Sequence, residues 1–205
     1  MKKLFLVGAL ALFGAMSAQE YKPMAGDVTT EFGLAGGLLN TSVSLPDQGF
    51  GVGPMIKARY FKTDDVAYRM GVVVSNTNES NDNEDSSSNG FALGLSFGAE
   101  KHFKGTERLS PYVGGDFILG FASTSSEAGN VKTTGPNGFG LGVRGVFGAD
   151  YYFAKRVYLG VEAGLGLLYS TTGSTRVDSK EVSKGTSTFK IVPDMVTGVR
   201  LGYAF

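Results

Sequence analysis

The residues that could do chemistry in this chain are charged, and they recur on one side of an alternation. Glu31, Lys57, Arg59, Arg69, Glu100, His102, Asp116, Arg144, Asp150, Glu162, Lys190, Asp194 and Arg200 each sit in an extended stretch whose alternate positions are Phe, Leu, Val, Ile, Met or Tyr. Most remaining positions on the charged side are Gly or Ala. A strand sends successive side chains to opposite faces, so each stretch has one apolar face and one face of charges and small residues. With His102 neutral, six acids (Glu31, Glu100, Asp116, Asp150, Glu162, Asp194) match six bases (Lys57, Arg59, Arg69, Arg144, Lys190, Arg200). A balanced set can be buried as a hydrogen-bonded plug, because an unpaired buried charge is very costly. The same residues along a wet wall would instead make a narrow, gated ion path. Which acid meets which base depends on strand register.

Other chemistry is thinner. The stretch Asn76-Thr77-Asn78-Glu79-Ser80-Asn81-Asp82-Asn83-Glu84-Asp85-Ser86-Ser87-Ser88-Asn89 is dense in hard oxygen ligands for Ca²⁺. It lacks the spacing and turn glycine of an EF-hand, so a solvated surface loop is the simpler reading. Gly140-x-Gly142-x-x-Gly145 matches a dinucleotide fingerprint, but a strand pattern runs through it and no helix follows. His102 is the sole histidine, and no serine partner is evident for it, so no enzyme is expected. With no Cys there is no disulfide framework, thiolate metal site or lipoprotein anchor, and no cofactor is expected.

The elements that must position these charges are strands. Met1-Lys2-Lys3 and the short apolar run Leu4–Ala15, followed by Ser17-Ala18, read as a signal peptide over 1–18. A periplasmic linker over 19–26 and a barrel domain over 27–205 follow. Removing Lys2 and Lys3 changes Lys+Arg from 19 to 17 against 19 acids, a charge of −2, which gives no reason to expect nucleic-acid binding. Alternation predicts strands at about 28–42, 50–63, 66–76, 90–103, 110–123, 138–153, 157–171 and 188–205. The turns at Thr63-Asp64-Asp65, Lys104–Arg108 and Ala154-Lys155-Arg156 are short; the connections 76–89, 124–137 and 172–187 are long and polar. The first bend opens at Leu45-Pro46-Asp47-Gln48. Short turns at one end and long loops at the other are the arrangement of an outer-membrane barrel. The interior of eight strands is narrow, so glycine beside charge reads as lumen packing and the apolar face as the lipid side. Pro54 and Pro193 each remove a ladder donor and are expected at a bulge or near the loop-side rim.

Phe97-Gly98-Ala99-Glu100-Lys101-His102-Phe103 and Phe147-Gly148-Ala149-Asp150-Tyr151-Tyr152-Phe153 form a weak internal repeat. Both finish strands that descend to the short turns, which places Phe103, Tyr151 and Phe153 in an aromatic girdle with Tyr203 and Phe205. With its leader, alternating strands, uneven loops and terminal Val199-x-Leu201-x-Tyr203-x-Phe205, the chain resembles the small eight-stranded outer-membrane barrels of the OmpA/OmpX type. No peptidoglycan-binding domain like that of OmpA is expected, since the sequence ends at the barrel pattern. The resemblance implies an all-β, eight-stranded antiparallel up-and-down transmembrane barrel in the Gram-negative outer membrane. It further implies that Val199, Leu201, Tyr203 and Phe205 form the signal read by the barrel-assembly machinery. In that setting Lys132, Arg176, Lys180 and Lys184 suit lipopolysaccharide phosphates, and the loops suit a host or cell-surface ligand. The expected role is a structural or adhesive anchor with a closed, salt-bridged lumen. The alternatives are a narrow porin-like channel for ions or small solutes and a lipid A-modifying enzyme.

Overall fold

The computed structural model describes residues 21–33, 55–81 and 85–205. The leader and its cleavage site, the bend at 45–48, Pro54 and the rest of the first predicted strand lie outside them. The described strands are β1 (Val28–Gly33), β2 (Met55–Thr63), β3 (Val66–Asn81), β4 (Ser86–His102), β5 (Leu109–Ala128), β6 (Val131–Thr134), β7 (Gly138–Ala154), β8 (Val157–Thr172), β9 (Thr175–Val177), β10 (Lys180–Ser183) and β11 (Thr186–Ala204). Eight of them close a ring, β1-β2-β3-β4-β5-β7-β8-β11 and back to β1, through antiparallel pairings throughout. Ring closure leaves no strand edge to satisfy, which is what lets a sheet enter hydrocarbon.

At one end the connections are tight. Asp64 and Asp65 join β2 to β3, residues 103–108 join β4 to β5, and Lys155 with Arg156 join β7 to β8. The Lys101 ammonium and the Thr63 hydroxyl donate to the Asp65 carboxylate and hold its pKa below the ordinary value. That contact is present above the ordinary carboxylate range and is lost as pH falls through the lowered pKa. The start of β1 and the end of β11 lie at this same end.

At the other end the structure corrects the expected loops. The stretch 76–89 is mostly hairpin: β3 and β4 stay paired from Asn76↔Phe91 out to Asn81↔Ser86. β5 runs on to Ala128 and folds back on β6, β6 pairs β9, and β9 pairs β10. The result is a curved sheet, β10-β9-β6-β5-β4-β3, standing on the ring. Polar Ser, Thr and Asn carry no apolar alternation, so the pattern that finds half-buried strands passes over them. Among the described residues no group of three His, Cys, Asp or Glu side chains forms a metal site. β7 passes through Gly140-x-Gly142-x-x-Gly145 as unbroken strand. Pro193 lies inside β11 opposite Leu165 rather than at the rim, and the ladder shifts register just beyond it, between Val196 and Arg200.

The outer surface is apolar. Phe97, Phe117, Val143, Phe147, Leu165 and Ile191 are all exposed in a band around the ring. Tyr60, Tyr68, Phe103, Tyr151, Phe153 and Phe205 edge it at the short-turn end, and Phe91, Phe121, Phe139, Tyr169 and Phe189 at the other. A soluble protein does not leave a continuous apolar belt in water; a membrane protein must, with aromatic side chains at both interfaces.

Leu165 and Val182 are similarly exposed, at 57% and 60%, but one lies in the belt and the other in the loop-side sheet. Leu165→Arg should cost about 2–4 kcal/mol in a bilayer, whereas Val182→Arg should cost almost nothing. Urea titration of each variant refolded in lipid vesicles measures both.

Candidate functional site: the buried charge cluster

Inside the ring, alternation brings charged residues of all eight ring strands to one place. Among the described residues, five acids (Glu31, Glu100, Asp116, Asp150, Glu162) and five bases (Lys57, Arg59, Arg69, Arg144, Arg200) are buried there, none more than 7% exposed. Room for them comes from glycine on the same face. A Cβ on Gly160 would lie 2.6 Å from Asp150 Oδ1 and 2.7 Å from Arg200 Nη2, and one on Gly148 would lie 2.6 Å from the Tyr112 hydroxyl.

The cluster is one connected network. Arg59 is at its centre: Nη1 donates to Glu100 and Asp150 at 2.7 Å each, and Nη2 donates to Glu31 and, at 2.8 Å, to Tyr158 Oη. Arg69 donates through Nη1 to Glu100 (2.9 Å) and forks onto Glu162 at 2.9 and 2.8 Å, with Nε 2.9 Å from Asp116. Arg144 holds Asp116 through Nη2 at 2.7 Å and Nε at 3.2 Å. Arg200 donates to Glu31 (2.6 Å) and to Tyr112 Oη (2.5 Å). Lys57 donates to Glu162 at 3.2 Å and lies 3.5 Å from Glu31. Guanidinium groups suit this task because their planar forks satisfy several carboxylates at once.

One predicted member stands apart: Lys190 is half-buried and joins no ion pair among the described residues. The side chain of Asp194 lies outside the described set.

Several network members carry no charge and were not legible as such. Tyr112 donates to Glu162 (2.7 Å) and Tyr158 to Glu31 (2.9 Å), while Tyr152 packs 5.0 Å from the Tyr158 ring. Parity is the signal that finds them, since Tyr112 alternates with Asp116, Tyr152 with Asp150 and Tyr158 with Glu162. His102 does have a serine partner, contrary to expectation. Its Nδ1 is 2.8 Å from Ser110 Oγ and its Nε2 is 3.1 Å from Glu100. A carboxylate only accepts, so Nε2 donates to Glu100, and Nδ1 shares a hydrogen bond with the Ser110 hydroxyl. The ring is also wedged between Phe61 and Tyr112, at 5.1 and 5.2 Å. Ser110 and His102 are both buried, and Glu100 is already held by two arginines, so the trio reads as a structural clasp.

The lumen is therefore layered. Phe61, Ala67, Tyr152 and His102 form a floor at the short-turn end, and the charges lie above it. Val73, Ala92, Ile118 and Leu168, all buried, lie on the loop side of the charges along their own strands. At the chain's end Leu201 and Phe205 face outward, and the Tyr203 and Phe205 rings meet edge-on at 5.0 Å; the side chain of Val199 lies outside the described set.

Comparison with known proteins finds these similarities. Residues 83–176 match the model described as "Putative OmpA-OmpF-like porin family". The structure is similar to the N-terminal β-barrel domain of Pseudomonas aeruginosa OprF, at 17% identity over 89% of this chain and 100% of that one, TM-score 0.43. It is similar to outer membrane protein OprG of the same organism, at 14% identity over 91% and 99%, TM-score 0.49. It is also similar to Ail, the attachment invasion locus protein of Yersinia pestis, at 14% identity over 89% and 100%, TM-score 0.43. The search of curated proteins gives no match. The fold is an all-β, eight-stranded antiparallel barrel with an apolar outer belt.

Removing one partner from a buried charge set strands the others. Arg59→Met should lower stability by about 3–5 kcal/mol by leaving Glu31, Glu100 and Asp150 short of a cation. Adding Glu31→Gln and Asp150→Asn should return part of that loss, read as the urea midpoint and as resistance of the unboiled band to heat.

Proposed function

We propose that this protein is an outer-membrane anchor whose lumen is closed and whose loop-side sheet is displayed at the cell surface. The observation that carries the reading is the cluster of five acids and five bases among the described residues, at most 7% exposed, between the floor of Phe61, Ala67, Tyr152 and His102 and the apolar side chains Val73, Ala92, Ile118 and Leu168. An ion entering it would have to break several charge-assisted hydrogen bonds and cross the layer of Val73, Ala92, Ile118 and Leu168 without solvation.

The displayed sheet is the part available for recognition. Lys132, Arg176, Lys180 and Lys184 are exposed on or beside its outermost strands, where they suit lipopolysaccharide phosphates or an anionic surface of another cell. The terminal alternation Val199, Leu201, Tyr203 and Phe205 is the segment proposed to be read by the barrel-assembly machinery. No residue set is proposed as catalytic.

Planar-bilayer recording tests the closed lumen. The mature protein, its folding checked by the gel shift between boiled and unboiled samples, should leave the bilayer silent. Stable stepwise conductance would overturn the anchor reading in favour of a narrow channel with the buried charges as its filter. Mutating Lys132, Arg176, Lys180 and Lys184 together to Gln should weaken binding to lipopolysaccharide-coated surfaces without changing the urea midpoint.

A further inference from the structure

The segment before β1 crosses the short-turn end and touches four elements. The Tyr21 carbonyl accepts from Arg156 N (3.3 Å), and the Tyr21 hydroxyl accepts from Arg108 Nη2 (2.7 Å), whose guanidinium lies 4.3 Å from the ring centre. Ala25 N donates to the Asp64 carboxylate (2.9 Å), and Gly26 N to the Phe61 carbonyl (2.8 Å). Residues 21–26 thus bridge β2 and all three tight turns.

One of those turns also holds the ring's closing seam. Among the described strands, β1 and β11 are the ring neighbours that are first and last in chain order, so the backbone ladder rather than a chain connection joins them. At the short-turn end the seam is held by Phe205 N donating to Val28 O at 2.8 Å. Ala204 N donates to Arg156 O at 2.8 Å, and the Arg156 side chain lies 3.5 Å from Asp27. Arg156, held at φ 61°, therefore contacts the crossing segment, the residue before β1 and the last residue of β11.

The segment is separable from the core. A cavity of about 380 Å³ lies against it, lined by Lys22, Pro23, Met24, Phe61, Glu107 and Ser110 among others, and Met24, Ala25 and Gly26 are exposed. Apart from buried Pro23 it is held by a few hydrogen bonds beside an open cavity, so it can lift without unpacking the charge cluster, as local low-stability units do.

We propose that Tyr21–Asp27 is a latch on the β1–β11 seam, engaged through Arg108 and Arg156. With the latch closed, the seam amides near the short turns are protected. With it open, β1 and β11 fray from that end while the charge cluster keeps the rest of the ring shut.

Hydrogen–deuterium exchange of the folded protein in detergent tests this with Tyr21→Ala, Arg108→Ala and the milder Tyr21→Phe. Exchange in residues 28–33 and 200–205 should rise about tenfold in the alanine variants, as expected for losing one or two net hydrogen bonds, and less in Tyr21→Phe. Exchange in 67–73 and 94–100 should not move. Lys101→Ala serves as a control, because it removes the Asp65 contact at a turn away from the seam and should raise exchange only there. Unchanged seam exchange in all three latch variants, or a uniform rise across every strand, would overturn the latch.

Discussion

Eight strands enclose a space that side chains must fill, and in this protein charges fill it. Arg59 shows the constraint most plainly: its guanidinium meets Glu31, Glu100, Asp150 and Tyr158 with no exposed surface on the side chain. Each charge has lost its water, so each must find its opposite inside the ring, and among the described residues five acids meet five bases there. Other features of the interior depend on it. Glycine is placed where a Cβ would strike a guanidinium, a carboxylate or a tyrosine ring. The hydroxyls of Tyr112 and Tyr158 take up carboxylate oxygens and guanidinium protons that ion pairs alone leave over.

The outer face answers a different solvent. Its apolar belt needs no specific contacts, because hydrocarbon accepts any apolar side chain. Beyond the belt, water satisfies polar residues again, and the strands continue as a Ser-, Thr- and Asn-rich sheet held chiefly by its backbone ladder. One antiparallel pattern thus crosses three environments, and side-chain chemistry changes at each boundary while the ladder does not.

How much of this is legible in the sequence depends on periodicity. Alternation assigns Glu31, Lys57, Arg59, Arg69, Glu100, Asp116, Arg144, Asp150, Glu162 and Arg200 to one face, and the structure gathers all ten there. Register is not periodic, so the pairing of Arg59 with Asp150, 91 residues away, had no signal. Tyr112, Tyr152 and Tyr158 were passed over because tyrosine on a membrane strand reads first as interface. The Ser110–His102 contact was hidden because it forms across the β4–β5 pairing between residues that look unrelated along the chain. The polar hairpins were hidden because strands exposed on both faces show no alternation. The crossing segment has no pattern of its own, and only the closed ring gives it something to cross.

The central claim is that the buried charges form a dry, closed network, and proton exchange with water reports on it directly. Nuclear magnetic resonance of the folded protein in lipid nanodiscs should resolve the Arg59 Nη and Tyr158 hydroxyl protons as slowly exchanging signals. Those signals should persist in the wild-type protein and vanish in Arg59→Met together with its ion pairs. Rapid exchange of the same protons with bulk water in the intact protein would mean a wet path through the lumen and would contradict the account.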